Sequence, residues 1–454
     1  MKILRRIAAV MCIILIMSIL SPLALAVDAP PELKSSKSVV VGDMSSGRIL
    51  YSVDAYTRRE PASTTKMVTL LLAVEAIEEG RVSADDMVTA SENCRQGLDD
   101  ESSTANIFAG ETMSLKNLLY CVGVASANEA CNIVAEHVSG SIEKFVELMN
   151  ERADELGCTG THFANTNGMP LQDHYTTARD FFVIACEAMH HPLFAEIVGT
   201  ANYTLPATNK MPERHMRNSN ALINDKSIYG SNYVYEGAIG IKTGHTRSAG
   251  YCLIGAAQRD GANIITVVMG ANGDPFGTER GTIYFENFTD TIALMDWCFA
   301  NYSYRSVVEK GFRAGVQPVE INGRSGELPL ACAEEINALV PNDFEAESLR
   351  KNIVLNADVL SAVPPEGTEL GSVSFTDDDG SVYGTVPLVA AGEIEFTEQE
   401  PQERSLQQKL ATVIVCLLLA VFALVLAFAL VRRNQIKKAE RARRRRAAMR
   451  GSRR

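Results

Sequence analysis

A serine and a lysine stand three residues apart in "PASTTKMVTLL", where Pro61 opens a helix-like pattern and Ser63 and Lys66 follow. A serine hydroxyl is a weak nucleophile until a neighbouring base takes its proton. Residues i and i+3 of a helix share a face, so this spacing brings an amine within reach of an alcohol. Two further groupings offer complementary side chains. Ser126 and Asn128, in "SAN", bring a second hydroxyl and a carboxamide. Lys242, Thr243 and Gly244, followed by His245, bring a second amine and hydroxyl and a residue without Cβ, on a strand-like stretch. The chemistry within reach of such a set is acyl transfer, with Ser63 attacking a carbonyl and a neutral Lys66 accepting the proton. Lysine titrates near 10.4 in water, so neutrality has to be imposed, by burial and by a neighbouring cation. Lys242 is the candidate cation, and the start of a helix adds positive potential near Ser63. The plain alternative is an N-capped surface helix whose lysine faces solvent.

Single motifs decide little. A chain of 454 residues holds roughly two Ser-x-x-Lys sets by chance, and Ser141/Lys144 and Ser348/Lys351 also match. Ser91/Asn93 repeats Ser-x-Asn. Lys-Thr-Gly is rarer, on the order of 0.1 per chain, and occurs once. Context separates the sets: Ser63 opens an apolar stripe (Met67, Leu70, Leu71, Val74, Ile77), Ser126 falls in a break between two helical patterns, and Lys242 lies on a strand pattern just before another strand.

The elements that must hold these groups are legible as periodicity. A strand over residues 38–41, a polar turn and a second strand over 48–53 read as a hairpin. Helical patterns follow at 115–124, 129–138, 142–156 and 177–189. Strands return in "YVYEGAIGIKTG", "GYCLIGAAQRD" and "NIITVVMGA", and a last helix covers 289–298. Strands at both ends with helices between them predict an α/β sandwich with an antiparallel sheet. From about residue 305 short alternating runs and the turn "DDDG" predict a separate all-β module.

Both ends of the chain point to a membrane. Lys2, Arg5 and Arg6, an apolar run and Ala24-Leu25-Ala26 form a signal peptide over residues 1–26. Residues 410–431 are 22 residues without a charge, about 33 Å of helix against a hydrocarbon core of about 30 Å. Positive residues favour the cytoplasmic side, so the basic stretch 432–454 faces inward and everything before residue 410 outward. The start carries +3 and the basic tail +11, which leaves −26 on residues 27–431 of a chain whose total is −12. So acidic an ectodomain argues against a nucleic-acid partner; the tail alone suits anionic lipid head groups. Eight cysteines fall in the exported part without a C-x-x-C pair, and disulfides and buried thiols fit them equally. The histidines show no ligand spacing, so neither metal nor cofactor is expected.

The order Ser-x-x-Lys, Ser-x-Asn, Lys-Thr-Gly is that of the penicillin-recognising serine enzymes. With "SANEACNIVAEHVSG", "MNERADELGCTGTHFANTNGMP", "HYTTARD" and "IGIKTGHTRSAGYCLIGAA", the chain resembles the low-molecular-mass penicillin-binding proteins, the serine-type D-alanyl-D-alanine carboxypeptidases. The resemblance implies a penicillin-binding-protein/β-lactamase-like α/β catalytic domain over 27–304 and a small β-sandwich over 305–399. A stalk (400–409), a transmembrane helix (410–431) and a cytoplasmic tail (432–454) complete the expected layout. It implies removal of the terminal D-alanine from peptidoglycan stem peptides and covalent inhibition by β-lactams. It also assigns roles: Ser63 nucleophile, Lys66 base, Ser126 proton relay, Lys242 electrostatic support. Asn128 would hold the substrate backbone, the N–H groups of Ser63 and His245 the oxyanion, and Thr243 and Arg280 the terminal carboxylate, with Gly244 also in the substrate-binding set. His174 and Asp180 would be supports. Glu129 stands where the family has an aspartate, and a full span replaces the family's frequent amphipathic anchor. The competing readings are an endopeptidase or β-lactamase of the same fold, and a catalytically silent membrane-spanning sensor or scaffold.

Overall fold

The computed structural model describes residues 27–99, 102–365, 367–378, 380–397 and 406–451. The signal-peptide reading, residues 400–405 of the stalk and residues 452–454 of the tail lie outside the described residues. By its contacts the chain divides into two units. The first runs to Gly315 and takes in Leu330–Asn356 and Pro365–Ala391; the second comprises Val316–Pro329, Ala357–Pro364 and the chain from Gly392 onward.

The main sheet of the first unit has five strands. β1 (Ser38–Asp43) and β2 (Ile49–Val53) form the expected hairpin, and two short hairpins follow later, β3 (Met87–Thr89) with β4 (Thr112–Ser114) and β5 (Asn202–Leu205) with β6 (Arg214–Arg217). β7 (Ala238–Thr246), β8 (Gly250–Arg259) and β9 (Ala262–Ala271) complete the main sheet in the order β2-β1-β9-β8-β7, every neighbouring pair antiparallel. The central strands read as nearly continuous apolar runs because both faces are covered. Val40 enters one core while Val39 and Val41 enter the other, and on β9 Ile265, Val267 and Met269 alternate with Ile264 and Val268, the period-2 geometry of a pleated strand.

The larger core packs α1 (Lys66–Glu78), α2 (Leu115–Gly123), α3 (Asn128–Ser139), α4 (Ile142–Glu155), α5 (Ala178–Met189) and α6 (Pro192–Val198). The opposite face is covered by α7 (Glu286–Asn301), whose Phe288, Leu294, Met295 and Trp297 sit in the second core. Three expectations change. α1 has no single stripe: every residue from Lys66 to Val74 is buried, because helices surround it and a helix buried all round is apolar all round. The segment 233–237 is a turn rather than strand, with β7 beginning at Ala238, and α7 is longer than 289–298 at both ends. Helix ends follow local chemistry: Ser114, Ser141 and Thr177 each accept the backbone N–H three residues on, and Gly140 closes α3 in the left-handed region.

Strands β10 (Gly273–Asp274) and β11 (Tyr284–Phe285) precede α7. The β-rich stretch then follows as β12 (Tyr302–Val308), β13 (Arg313–Ile321), β14 (Arg324–Cys332), β15 (Ile336–Pro341), β16 (Arg350–Leu355), β17 (Glu369–Thr376), β18 (Val382–Ala390) and β19 (Glu395–Phe396). Within the first unit β12 pairs with β15, β18 pairs with β17 and with the end of β14, and β17 pairs with β16, around buried Val373, Phe375, Val386 and Leu388. Within the second, Gly326 pairs with Phe396 and Val319 bridges to Leu360. That unit ends in α8 (Leu406–Gly451). Leu410–Arg444 of α8 has a mean hydropathy of 3.3 over its most apolar window and is long enough to cross a membrane; its leucines and valines face outward. Helix thus already begins at Leu406, inside the stretch expected to be stalk.

The eight cysteines between Cys94 and Cys332 are all buried and unpaired.

Candidate active site

Ser63 lies on a 3-10 turn, Ala62–Thr65, that feeds directly into α1. In a 3-10 turn residues i and i+3 eclipse, and Lys66 Nζ sits 2.8 Å from Ser63 Oγ and 2.7 Å from the carbonyl oxygen of Asn167. Lys66 is completely buried, whereas Ser63 is only half-buried, so the serine is open and its partner sealed. The surface-helix alternative is thereby removed. Ser126 stands in the break between α2 and α3 at φ +57°, and Ala62, just before Ser63, has φ +49°. Non-glycine residues in this region are held there by their surroundings. Lys242 Nζ donates to Ser126 Oγ (3.0 Å) and to the carbonyl of Thr243 (3.1 Å).

Two glycines let these pieces approach. A Cβ on Gly244 would lie 2.9 Å from Thr64 N and 3.0 Å from Ser63 N, so β7 rests on the turn that carries Ser63. Gly168, at φ +92°, comes closer still: a Cβ there would lie 1.8 Å from the carbonyl oxygen of Ala62. A cleft of about 350 Å³ opens beside this junction, with Ser63, Asn128, Gly168, His245 and Arg247 in its wall. The Asn128 side-chain oxygen is buried and lacks a hydrogen-bond partner, and an orphaned buried acceptor is costly unless a ligand satisfies it.

Both buried amines are pushed down. Burial pushes the Lys66 amine down to about 8, with Cys131 and Glu129 pulling it back up. Burial also pushes Lys242 down, to about 7, and the charge of Lys66 adds to this. Burial is the largest cause for both amines, and the repulsion between them belongs to the pair. Glu129 is structural: one oxygen accepts from Thr104 Oγ1 and from the backbone N–H groups of Ala105 and Ile107, tying down the loop beside the cleft. His174 is buried, its ring pushed down to about 3 by burial, hence neutral. Its Nδ1 accepts from the Ala164 N–H, which leaves Nε2–H to donate to Thr65 Oγ1. Asp180 accepts from Gly160 N and Thr161 Oγ1.

The structure therefore brings together Ser63, Lys66, Ser126, Asn128, Lys242, Thr243, Gly244 and His245. Arg280 is placed differently: its guanidinium is 57% exposed, pairs with Glu286 (2.8 Å) and stacks over Tyr284, and it is absent from the cleft wall, where Arg247 stands instead. The decoys have local explanations. Ser141 caps α4, Ser91 bonds Glu136, and Ser348 bonds the carbonyl of Glu345. Sequence reasoning passed over Asn167, Gly168 and Arg247; an Asn-Gly pair within "ANTNGMP" was the available signal for the first two.

A serine hydroxyl in contact with a sealed lysine, on an antiparallel sheet covered by helices, is the arrangement expected of a serine hydrolase of the penicillin-binding fold. Residues 25–273 match the D-alanyl-D-alanine carboxypeptidase family, and residues 302–395 match the C-terminal domain of penicillin-binding protein 5. The chain is 30% identical over 358 residues to D-alanyl-D-alanine carboxypeptidase DacF of Bacillus subtilis, covering 78% of this chain and 85% of that one. It is 27% identical to D-alanyl-D-alanine carboxypeptidase DacA of Escherichia coli, covering 79% and 83%. Among solved structures, penicillin-binding protein 5 of Haemophilus influenzae superposes with a TM-score of 0.60 at 26% identity, covering 81% of this chain and 99% of that one. The chain belongs to the D-alanyl-D-alanine carboxypeptidase family, and its activity is that of a serine DD-carboxypeptidase, a peptidase hydrolase.

Proposed function

We infer that this enzyme removes the terminal D-alanine of peptidoglycan stem peptides through an acyl-enzyme on Ser63. The observation that carries the reading is the pair of lysine–hydroxyl contacts, Lys66 to Ser63 and Lys242 to Ser126, within one buried junction. Lys66, once neutral, takes the Ser63 proton as Oγ attacks the carbonyl of the penultimate D-alanine. The oxyanion is received by the N–H groups of Ser63 and His245. Ser126, held by Lys242, passes a proton to the departing amine, and Asn128 binds the peptide backbone through its orphaned oxygen. Thr243, beside Gly244, receives the terminal carboxylate. An arginine suits that anion through paired N–H donors; Arg280 is the sequence-based candidate and Arg247 the one in the cleft wall. β-Lactams, which carry a like carboxylate, acylate the same serine. No cofactor or metal enters these steps.

Penicillin is expected to add one adduct per chain, mapping to the peptide that contains Ser63; an adduct on Ser141 would overturn the assignment. Amidating the terminal D-alanine of a synthetic pentapeptide is expected to slow its release at least tenfold, since a lost hydrogen bond to a charged group costs about 1.5–3 kcal/mol. Equal cleavage of acid and amide would favour the endopeptidase. Arg247→Ala and Arg280→Ala, assayed on both peptides, identify the arginine by which of them abolishes the difference. The β-lactamase reading gains no support from Glu129, one of whose oxygens is held by the 104–107 loop.

For the whole chain we infer the layout set by composition: signal peptide 1–26, catalytic domain 27–304, β-sandwich 305–399, stalk 400–409, span 410–431 and basic tail 432–454. The ectodomain lies outside the cell and the tail inside, where it meets anionic lipid; nucleic acid is not a partner. The positive flank after Val431 supports this orientation. Protease added to intact protoplasts is expected to remove the ectodomain and spare an epitope on the tail; loss of that epitope reverses the topology.

A further inference from the structure

Thr243 has a neighbour that none of the three motifs contains. Ser219 Oγ lies 2.6 Å from Thr243 Oγ1, on the segment that follows β6. That segment is fixed by asparagines whose side chains are buried and bonded to backbone. Asn218 donates to the carbonyls of Val198 and Thr200 and accepts from Asn220 N. Asn220 accepts from Leu222 N, and Asn224 donates to the carbonyls of Ala201 and Asn218. Ser227 Oγ donates to the carbonyl of Ser219 itself (2.7 Å). The backbone on both sides of Ser219 is thus held from several directions, while its own hydroxyl points at the Lys-Thr-Gly strand. Thr243 is only 3% exposed, so its hydroxyl has few other partners to choose from.

We propose that Ser219 is a positioning residue that fixes the direction of the Thr243 hydroxyl toward the substrate's carboxylate. The inference rests on the reading that Thr243 receives that anion. A hydroxyl carries one hydrogen and two acceptor lone pairs, and a carboxylate only accepts. When the anion is bound, Thr243 must give its single hydrogen to it, so the hydrogen between the two hydroxyls must come from Ser219. The chain Ser219 O–H to Thr243 Oγ1, then Thr243 O–H to carboxylate, has one consistent direction, and each bond in such a chain polarises the next. Without Ser219 the Thr243 hydroxyl is free to turn, and its hydrogen is no longer committed to the ligand. The effect is specific to an anionic ligand, because hydrogen bonds to a charged acceptor are about twice as strong as neutral ones.

The test compares acylation rates for benzylpenicillin and its methyl ester in the full-length enzyme and in Ser219→Ala and Ser219→Thr. One net hydrogen bond predicts a fall of about 3- to 10-fold for the acid in Ser219→Ala, less than about twofold for the ester, and recovery of the acid rate in Ser219→Thr. An equal fall for acid and ester means that Ser219 merely supports the fold, and an unchanged acid rate means that it does not orient Thr243; either overturns the proposal. The readout does not need D-alanine release. Failure of the carboxypeptidase reading would show separately, as an acylable enzyme that leaves the pentapeptide intact.

Discussion

Replacing Lys66 by methionine is expected to slow acylation of Ser63 by about 100- to 10,000-fold, the range that a positioned general base contributes. The same change is expected to leave the melting temperature at pH 7 no lower than that of the native enzyme. Lys66 is wholly buried and its amine is pushed down to about 8, while in the unfolded chain it titrates near 10.4. The folded state therefore binds the proton less well than the unfolded one. The resulting penalty is fully present below about pH 8 and fades as pH rises toward the unfolded value. Methionine of similar volume removes that penalty, which offsets the loss of the hydrogen bond that Lys66 gives to the Asn167 carbonyl. Any gain should accordingly be largest at neutral pH and shrink toward pH 10. Acylation by the native enzyme should rise with pH through the range 7 to 8, where the two buried lysines shed one of their two protons, and the variant should lose that rise. A variant that acylates within tenfold of the native rate would remove Lys66 from the mechanism. One that is inactive but strongly destabilised at pH 7 would make it a structural residue.

Gly168→Ala is expected to reduce acylation at least about 100-fold and to destabilise the protein by roughly 4 kcal/mol, a loss that point substitutions reach only through a named mechanism such as backbone overlap. The added Cβ would fall 1.8 Å from the Ala62 carbonyl oxygen and 2.3 Å from its carbon. It has no flexible side chain to displace, only the backbone that presents Ser63. The control is Gly140→Ala. That glycine has nearly the same left-handed backbone, φ +87°, but nothing lies within 4 Å of its Cβ. The control should lose only the conformational term, about 1–2 kcal/mol, and keep its acylation rate. If the two variants behave alike, the close approach at Gly168 does not hold the nucleophile's turn in place.

Much of the fold was legible because it depends on local pattern. The hairpin at residues 38–53, the helices after residue 115 and the strands after 250 each carry their own periodicity, and the apolar run of α8 announces itself by length. Patterns failed where neighbours decide. α1 read as one apolar stripe, yet helices surround it, so the residues off that stripe, Val68, Thr69, Leu72 and Ala73, lie inside as well. Residues 233–237 are apolar enough for a strand but turn, since the sheet edge begins at Ala238.

The chemistry divides along the same line. The sequence by itself determined which groups are available: the hydroxyls of Ser63 and Ser126, the amines of Lys66 and Lys242, and the glycine that lets β7 approach. Spacing of three residues also brought Ser63 to Lys66, because that contact lies within a single turn. Only the tertiary structure decided the rest. Lys242 meets Ser126 across 116 residues, the Asn167 carbonyl meets Lys66 across 101, and Ser219 meets Thr243 from a loop with no motif of its own. It also drew Arg280 to Glu286 and set Arg247 in the cleft wall. The physical reason is desolvation. A lysine becomes a base only when many distant side chains remove water from around it, and no local stretch of sequence records how many of them will arrive.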